Sequence, residues 1–440
     1  MAMLLLATAL VATAVQSTPV PAPPPEWAGW LGLTALVAAF GWLGWWLLAS
    51  PLPWPIAPSA PTTRLLRVRG LLAGVVLLSG VLVRVGAPWD ELWHRLYGVP
   101  FGQDLLWPPH LLLYASFTLS FLLVWYGLSV GLDGPGSLRA RFRREPLLAA
   151  LGLLSAYAFA FIPVDVVWHQ VIGPDLMAES PPHLVGALSG AAVSLCGVAL
   201  ALSTLPRPGW RSLLDRPRAA DVVALGILAV LALNWLQLLT TGWEWGDPVV
   251  RDRPGWTYAI SVLVVGGFVS HVALHATRRV GAATAVALVA LAAHLPVVAL
   301  YRLLLPPGPA IAAHLLLVPP ALVLDAWYVR RGQYPDTARA RWTGALLHAT
   351  VLLAVGLPYM AVAFPAANLG GTSVLASVGV GVPAGLATSL IGARLGRWSG
   401  GAGRAQTSRA AIAAERLEAG ASPQASSAPA DASRVGGARW

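Results

Sequence analysis

The sequence predicts an all-α, polytopic membrane protein: a transmembrane helical bundle of about eleven spans with internally repeated helical hairpins. Three observations carry this. Of 440 residues, 57% are hydrophobic and only 11% charged, where a soluble chain would carry roughly a quarter charged. Apolar runs of about 20 residues recur along the chain, each long enough to cross a bilayer. Every second connection between the runs is rich in arginine. The net charge of +10 contains no lysine. Because the arginines fall between apolar runs, they report topology, and no nucleic-acid partner is expected.

Residues 1–26 read as a short apolar start followed by a Pro-rich linker. The start resembles a signal sequence without a basic n-region, with Ala12-Thr13-Ala14 as its cleavage-like site. The transmembrane domain is expected over 27–393, with spans near 27–49, 66–87, 109–131, 146–168, 183–205, 219–241, 256–277, 280–304, 309–328, 342–364 and 371–393. Arg64, Arg67 and Arg69 follow the first span, Arg139 to Arg144 the third, Arg207 to Arg218 the fifth. Arg278 and Arg279 follow the seventh, and Arg330 to Arg341 the ninth. By the positive-inside rule these connections are cytoplasmic, which puts the N-terminus outside and the C-terminus inside. The composition suggests a bacterial cytoplasmic (inner) membrane. Residues 394–440 turn polar and are expected to form a disordered cytoplasmic tail. Cys196, the one cysteine, sits inside an apolar run. That excludes an intrachain disulfide and a thiolate metal cluster.

The chemistry gathers in two stretches that copy one another. One runs from Asp90 to His110, DELWHRLYGVPFGQDLLWPPH; the other from Asp165 to His183, DVVWHQVIGPDLMAESPPH. Both keep D-x-x-W-H, a Gly four residues after that His (Gly98, Gly173), an Asp-Leu (Asp104, Asp175) and P-P-H-L. An internal duplication follows, with repeat units near 66–131 and 146–205. Within one copy the Asp and the first His share a helix face, being four residues apart. The Pro pair suits the first turn of the next helix, where a missing N–H costs little. One helix end thus offers a carboxylate and an imidazole, and the next helix start a second imidazole. Asp165, His169 and His183 form one candidate metal site, and Asp90, His94 and His110 the other. The two triads could serve two mononuclear sites or one dinuclear centre.

Trp93 and Trp168 read as interfacial-belt residues that also wall the sites. Asp104 and Asp175 are candidate partners for imidazole N–H groups, or caps of short loop helices. A possible third unit, 219–277, carries Glu244 and Asp247 in its connection but no His there. His294 and His314 are further candidates along a path to the same side. His271, His275 and His348 read as interface residues near cytoplasmic ends. No Walker loop, G-x-S-x-G elbow, H-E-x-x-H or C-x-x-C-H motif occurs.

The second copy, D-x-x-W-H-Q-x-I-x-x-D followed by P-x-H, resembles the metal-site segment of the C subunit of particulate methane and ammonia monooxygenases, over about residues 146–250. That resemblance implies copper held within the membrane by Asp165, His169 and His183, with Trp168, Gln170, Asp175 and Pro181 in keeping. The family also carries N-E-W-G-H downstream. Here the segment is Trp243-Glu244-Trp245-Gly246-Asp247, with Trp for Asn and Asp for His. The upstream form also resembles a segment of uncharacterised bacterial multipass proteins.

The leading expectation is a copper-dependent oxidoreductase or monooxygenase-like subunit, acting with O₂ on a small apolar substrate, its metal motifs on the outer side. Two imidazoles and a carboxylate also suit iron or zinc. Such a protein would sit in membrane lipid and need partner subunits and an electron donor. A metal transporter would instead need a polar trail across the bilayer. A non-catalytic scaffold would turn each Asp–His pair to loop backbone.

Overall fold

The computed structural model describes residues 26–48, 62–97, 106–133, 136–171, 181–204, 211–213, 215, 217–247, 254–306, 308–309, 313–332, 334–335, 337–363 and 371–402. The signal-like start and most of the C-terminal tail lie outside them, as do Asp104 and Asp175.

The helices are α1 (Glu26–Leu48), α2 (Thr63–Tyr97), α3 (Pro108–Gly131), the short α4 (Leu138–Arg144), α5 (Pro146–Val171), α6 (Pro181–Ser203) and α7 (Ala219–Trp245). They continue as α8 (Trp256–Thr277), α9 (Ala282–Leu304), the one-turn α10 (Ala313–Leu316), α11 (Val318–Arg331), α12 (Ala338–Ala363), α13 (Gly371–Gly379) and α14 (Gly381–Ala402). Two-residue strands, β1 (Arg211–Ser212) and β2 (Arg279–Val280), pair in parallel. Among the described residues, nine helices are long and apolar enough to cross a membrane.

Among the eleven expected spans, one is broken in the structure. Span nine is interrupted at Leu317, between α10 and α11. Pro319 and Pro320 follow at once and cannot donate to the carbonyls one turn back. α1 covers the first expected span with 23 residues, some of whose side chains lie outside the described ones. Two other boundaries move. α2 runs on to Tyr97, so its D-x-x-W-H lies wholly inside the helix. α14 continues to Ala402, past the expected end of the transmembrane domain at 393.

Contacts define two opposite faces. At the arginine-rich face, buried Arg69 at the start of α2 meets Glu145 before α5 at 2.6 Å. Asp221 at the start of α7 pairs with Arg279 at 3.0 Å and Arg218 at 2.9 Å. Asp325 of α11 accepts the N–H of Thr284 in the first turn of α9 at 2.8 Å. A carboxylate there meets the unsatisfied donors and the positive dipole end of the helix. At the opposite face, the ends of α2, α7 and α9 meet the start of α10. Tyr301 donates to the Pro88 carbonyl at 2.6 Å, and the Ala313 N–H donates to Glu244 at 3.0 Å.

α2, α3, α5, α6 and α7 pack as neighbours in the first half of the chain. α8 is the most buried span and holds the second half together. α14 lies along it through Gly392, Gly396 and Gly400, one every four residues. A Cβ at these positions would stand 2.5, 2.8 and 2.5 Å from the carbonyl oxygens of Phe268, Val272 and Ala276. Only glycine permits that backbone approach, the way membrane helices associate where water supplies no hydrophobic drive.

Candidate metal centre

The two copies become two helical hairpins, α2–α3 and α5–α6, each packed along its length. Their starts and stops follow local rules. Pro108 and Pro109 occupy the first positions of α3 after an extended Trp107. Inside the preceding helices, Pro88 and Pro163 each stand two residues before the motif Asp. Each lacks the N–H that would bond the carbonyl one turn back, just where the ligands begin. This shared Pro was readable in the sequence and was missed.

In the upstream copy the triad closes. Asp90 and His94 lie one turn apart near the end of α2, and His110 is the third residue of α3. Asp90 Oδ1 is 3.0 Å from His110 Nε2 and 3.5 Å from His94 Nε2. One ligand atom from each residue lies within 4.8 Å of the other two. Atoms sharing one ion at about 2.0–2.2 Å stand roughly 3–3.5 Å apart, so the Asp–His separations fit a shared ion. Asp90 Oδ1 is also buried and makes no hydrogen bond among the described residues. An orphaned carboxylate oxygen between two imidazoles is the kind of exception that an ion or water accounts for.

Aromatic rings wall this site. Trp107 lies 5.6 Å from His94 and 6.2 Å from Trp93, ring centre to ring centre. Trp93 in turn packs on Tyr97 at 4.9 Å. A charged clamp steadies the end of α2. Arg95 binds Glu91 at 2.6 Å, grips both oxygens of Asp247 at 2.8 and 2.7 Å, and covers the Trp245 ring at 4.2 Å. Two parallel N–H···O bonds of this kind fix geometry as well as charge.

The downstream copy is arranged differently. Asp165 is buried and accepts a hydrogen bond from Tyr114 at 3.3 Å. His183 Nε2 stands 3.9 Å from Asp165 Oδ1. His169 belongs to α5, but its side chain lies outside the described residues. Trp168 is buried. Tyr114 separates the two copies, stacking on His110 at 6.0 Å while its hydroxyl reaches Asp165. Its position in the other copy is Ala187, so nothing in the repeat announced it.

A cavity of about 260 Å³ opens between α2, α3, α5, α6 and α7. Asp90 and His183 both line it, so each copy contributes to one chamber. Most of its wall is apolar, including Phe117 and Phe161, with polar points such as Ser120, Asn234 and Gln237. An apolar pocket with few convergent polar groups suits a small, weakly polar guest.

The remaining candidates sit elsewhere. Asp247 is committed to Arg95. Glu244 is buried and accepts from Tyr258 and the Ala313 N–H. His294 and His314 stack on each other at 3.7 Å, with Arg84 at 2.9 Å from His294. His271, His275 and His348, expected at the interface, are wholly buried instead. Neighbouring small residues, such as Gly267 and Gly396, let α8 sink into the core with its histidines. No protein-family model, curated protein or solved structure matches this chain.

Proposed function

We propose that this is a membrane metalloprotein whose ion is held by Asp90, His94 and His110 at the rim of an apolar cavity. The observation that carries the reading is the convergence of the three ligand atoms within 4.8 Å around an Asp90 oxygen with no hydrogen-bond partner among the described residues. The chemistry of the donors, two imidazoles and one carboxylate, suits copper, iron or zinc. The resemblance of the downstream motif favours copper and an oxidoreductase acting with O₂ on a small apolar substrate. We place the protein in the bacterial inner membrane with the motifs outward, from the arginine asymmetry.

A bound redox metal would supply oxygen activation. The chain's own residues have separate tasks. Asp90 would supply the carboxylate ligand, one oxygen standing beside both imidazoles. Trp93 and Trp107 exclude water and fix the His94 ring. Phe117 and Phe161 line the chamber that would hold the substrate. A scaffold role is disfavoured because Asp90 Oδ1 faces imidazoles and makes no backbone hydrogen bond.

The test is metal content by mass spectrometry on the detergent-purified protein beside His94→Ala. Near-stoichiometric copper, iron or zinc, lost in the variant, is the expected result. A protein that takes up none of the three after reconstitution would falsify the proposal.

A further inference from the structure

Five buried histidines lie outside the metal centre, all in the second half of the chain: His271 and His275 on α8, His294 on α9, His314 on α10 and His348 on α12. Among the described residues, both ring nitrogens of His271, His314 and His348 lack a hydrogen-bond partner, as do Nε2 of His275 and of His294. Buried polar atoms are nearly always paired, so this concentration needs a physical account.

The rings form a file. His275 Nδ1 is 2.8 Å from the Tyr334 hydroxyl at the arginine-rich face. His271 stands 6.0 Å from His275 and 6.0 Å from His348, ring centre to ring centre. At 1.5 Å per helical residue, His275, His271, His348 and His294 lie roughly 3, 9, 15 and 18 Å from that face. Between His348 and His314 sits Leu317, one turn along from His314. A Cβ at Gly266 would be 2.8 Å from Leu317 Cδ2 and 3.4 Å from His348 Nε2, which places those two side chains side by side. His314 then stacks on His294 at 3.7 Å. Beyond it Arg84 holds His294 at 2.9 Å and Gln237 at 3.0 Å, and Gln237 lines the cavity.

A metal ion does not explain this geometry. Among the described residues only Asp90, His94 and His110 bring their ligand atoms together. One ion on His271, His275 and His348 would also leave the second nitrogens of His271 and His348 without partners. Imidazoles at successive depths, three of them open at both nitrogens and two at one, suit proton transfer through intervening water. A fixed guanidinium at the end of such a file repels protons. Among the described residues Arg84 is held by the neutral side chains of Gln237 and His294 and forms no ion pair within 4.0 Å, while buried Glu244 acts on it from farther away.

We infer that the α8–α12 histidines form a proton path from the arginine-rich face to the cavity, constricted at Leu317 and closed by Arg84. In an oxidoreductase supplied with electrons by an external donor, it would deliver the protons that accompany those electrons onto O₂. Only that last use rests on the proposed oxidoreductase; the path itself does not.

The test is proton uptake by proteoliposomes of the full-length protein, read by entrapped pyranine under a potassium–valinomycin potential. Metal content is measured on the same preparations. Wild type and Arg84→Lys are expected to match protein-free vesicles. Arg84→Gln is expected to raise uptake by about tenfold, and adding His271→Ala or His314→Ala to return it to baseline, in line with an electrostatic barrier on a histidine path. An Arg84→Gln protein that elutes as folded and leaks no more than wild type overturns the inference. So does a leak that persists in both double variants, since it would then bypass the histidines. Metal retained in the double variants separates failure of the path from failure of the metal centre.

Discussion

The two hairpins share a motif and differ in what they build from it. Among the described residues the upstream copy brings its three ligands together, and in the downstream copy the His169 side chain lies outside them. Two neighbours separate the copies. Trp107, just before the Pro pair of α3, packs on His94, and Ser180 takes its place before α6. Tyr114, one turn after His110, reaches across to Asp165, where α6 has Ala187. The upstream copy is filled by aromatic rings. The downstream copy brings small residues to the shared cavity, where Gly186, Ala187 and Gly190 line the wall.

The sharpest way to break this comparison is to delete the matching histidine from each copy. His110→Ala is expected to lower bound metal at least about tenfold, the scale for a lost site residue, while His183→Ala leaves one equivalent in place. Equal losses in both variants, measured by mass spectrometry, would mean the copies share one centre. Trp107→Ala comes next. It leaves every ligand but removes the ring that holds His94, and a roughly tenfold weaker metal affinity is expected in a chelator competition. An unchanged affinity would mean the Trp107–His94 contact contributes nothing to the difference.

Tyr114→Phe should act on the downstream copy alone. It removes a single hydrogen bond to the buried Asp165, so a loss of about 1 kcal/mol in unfolding stability is expected, with metal content unchanged. Loss of metal instead would show that the tyrosine serves the upstream site. The smallest effect on stability is expected from Gly190→Leu, because a Cβ there meets nothing within 4 Å. Stability should change by no more than about 1 kcal/mol. The leucine should occupy the chamber, so xenon or another small apolar probe that binds the wild type would be lost. Probe binding that survives would place the chamber's guest away from α6.

Much of this was legible from residue order. Hydropathy and arginine spacing marked the helices and their alternation, because a bilayer demands long apolar helices and charge asymmetry at their ends. The four-residue spacing of Asp90 and His94 put both on one helix face before any coordinate was known. The Pro-Pro-His start of α3 followed from the missing N–H of proline. The duplication itself needed only comparison of two stretches.

Other features depended on how the helices dock. The closing of the upstream triad depends on the approach of α3 to α2, and its surroundings on Trp107 and Tyr114, whose contacts no spacing rule foretells. Glu244 and Asp247 carried the residue types of ligands, but their partners, Tyr258 and Arg95, come from other helices. The same holds for His271, His275 and His348. In a membrane helix nearly every neighbour is apolar, so periodicity cannot separate a lipid-facing position from an interior one. The close approach of α14 to α8 through Gly392, Gly396 and Gly400 covers the α8 face at His275, because burial depends on what packs against a face as well as on what the face carries.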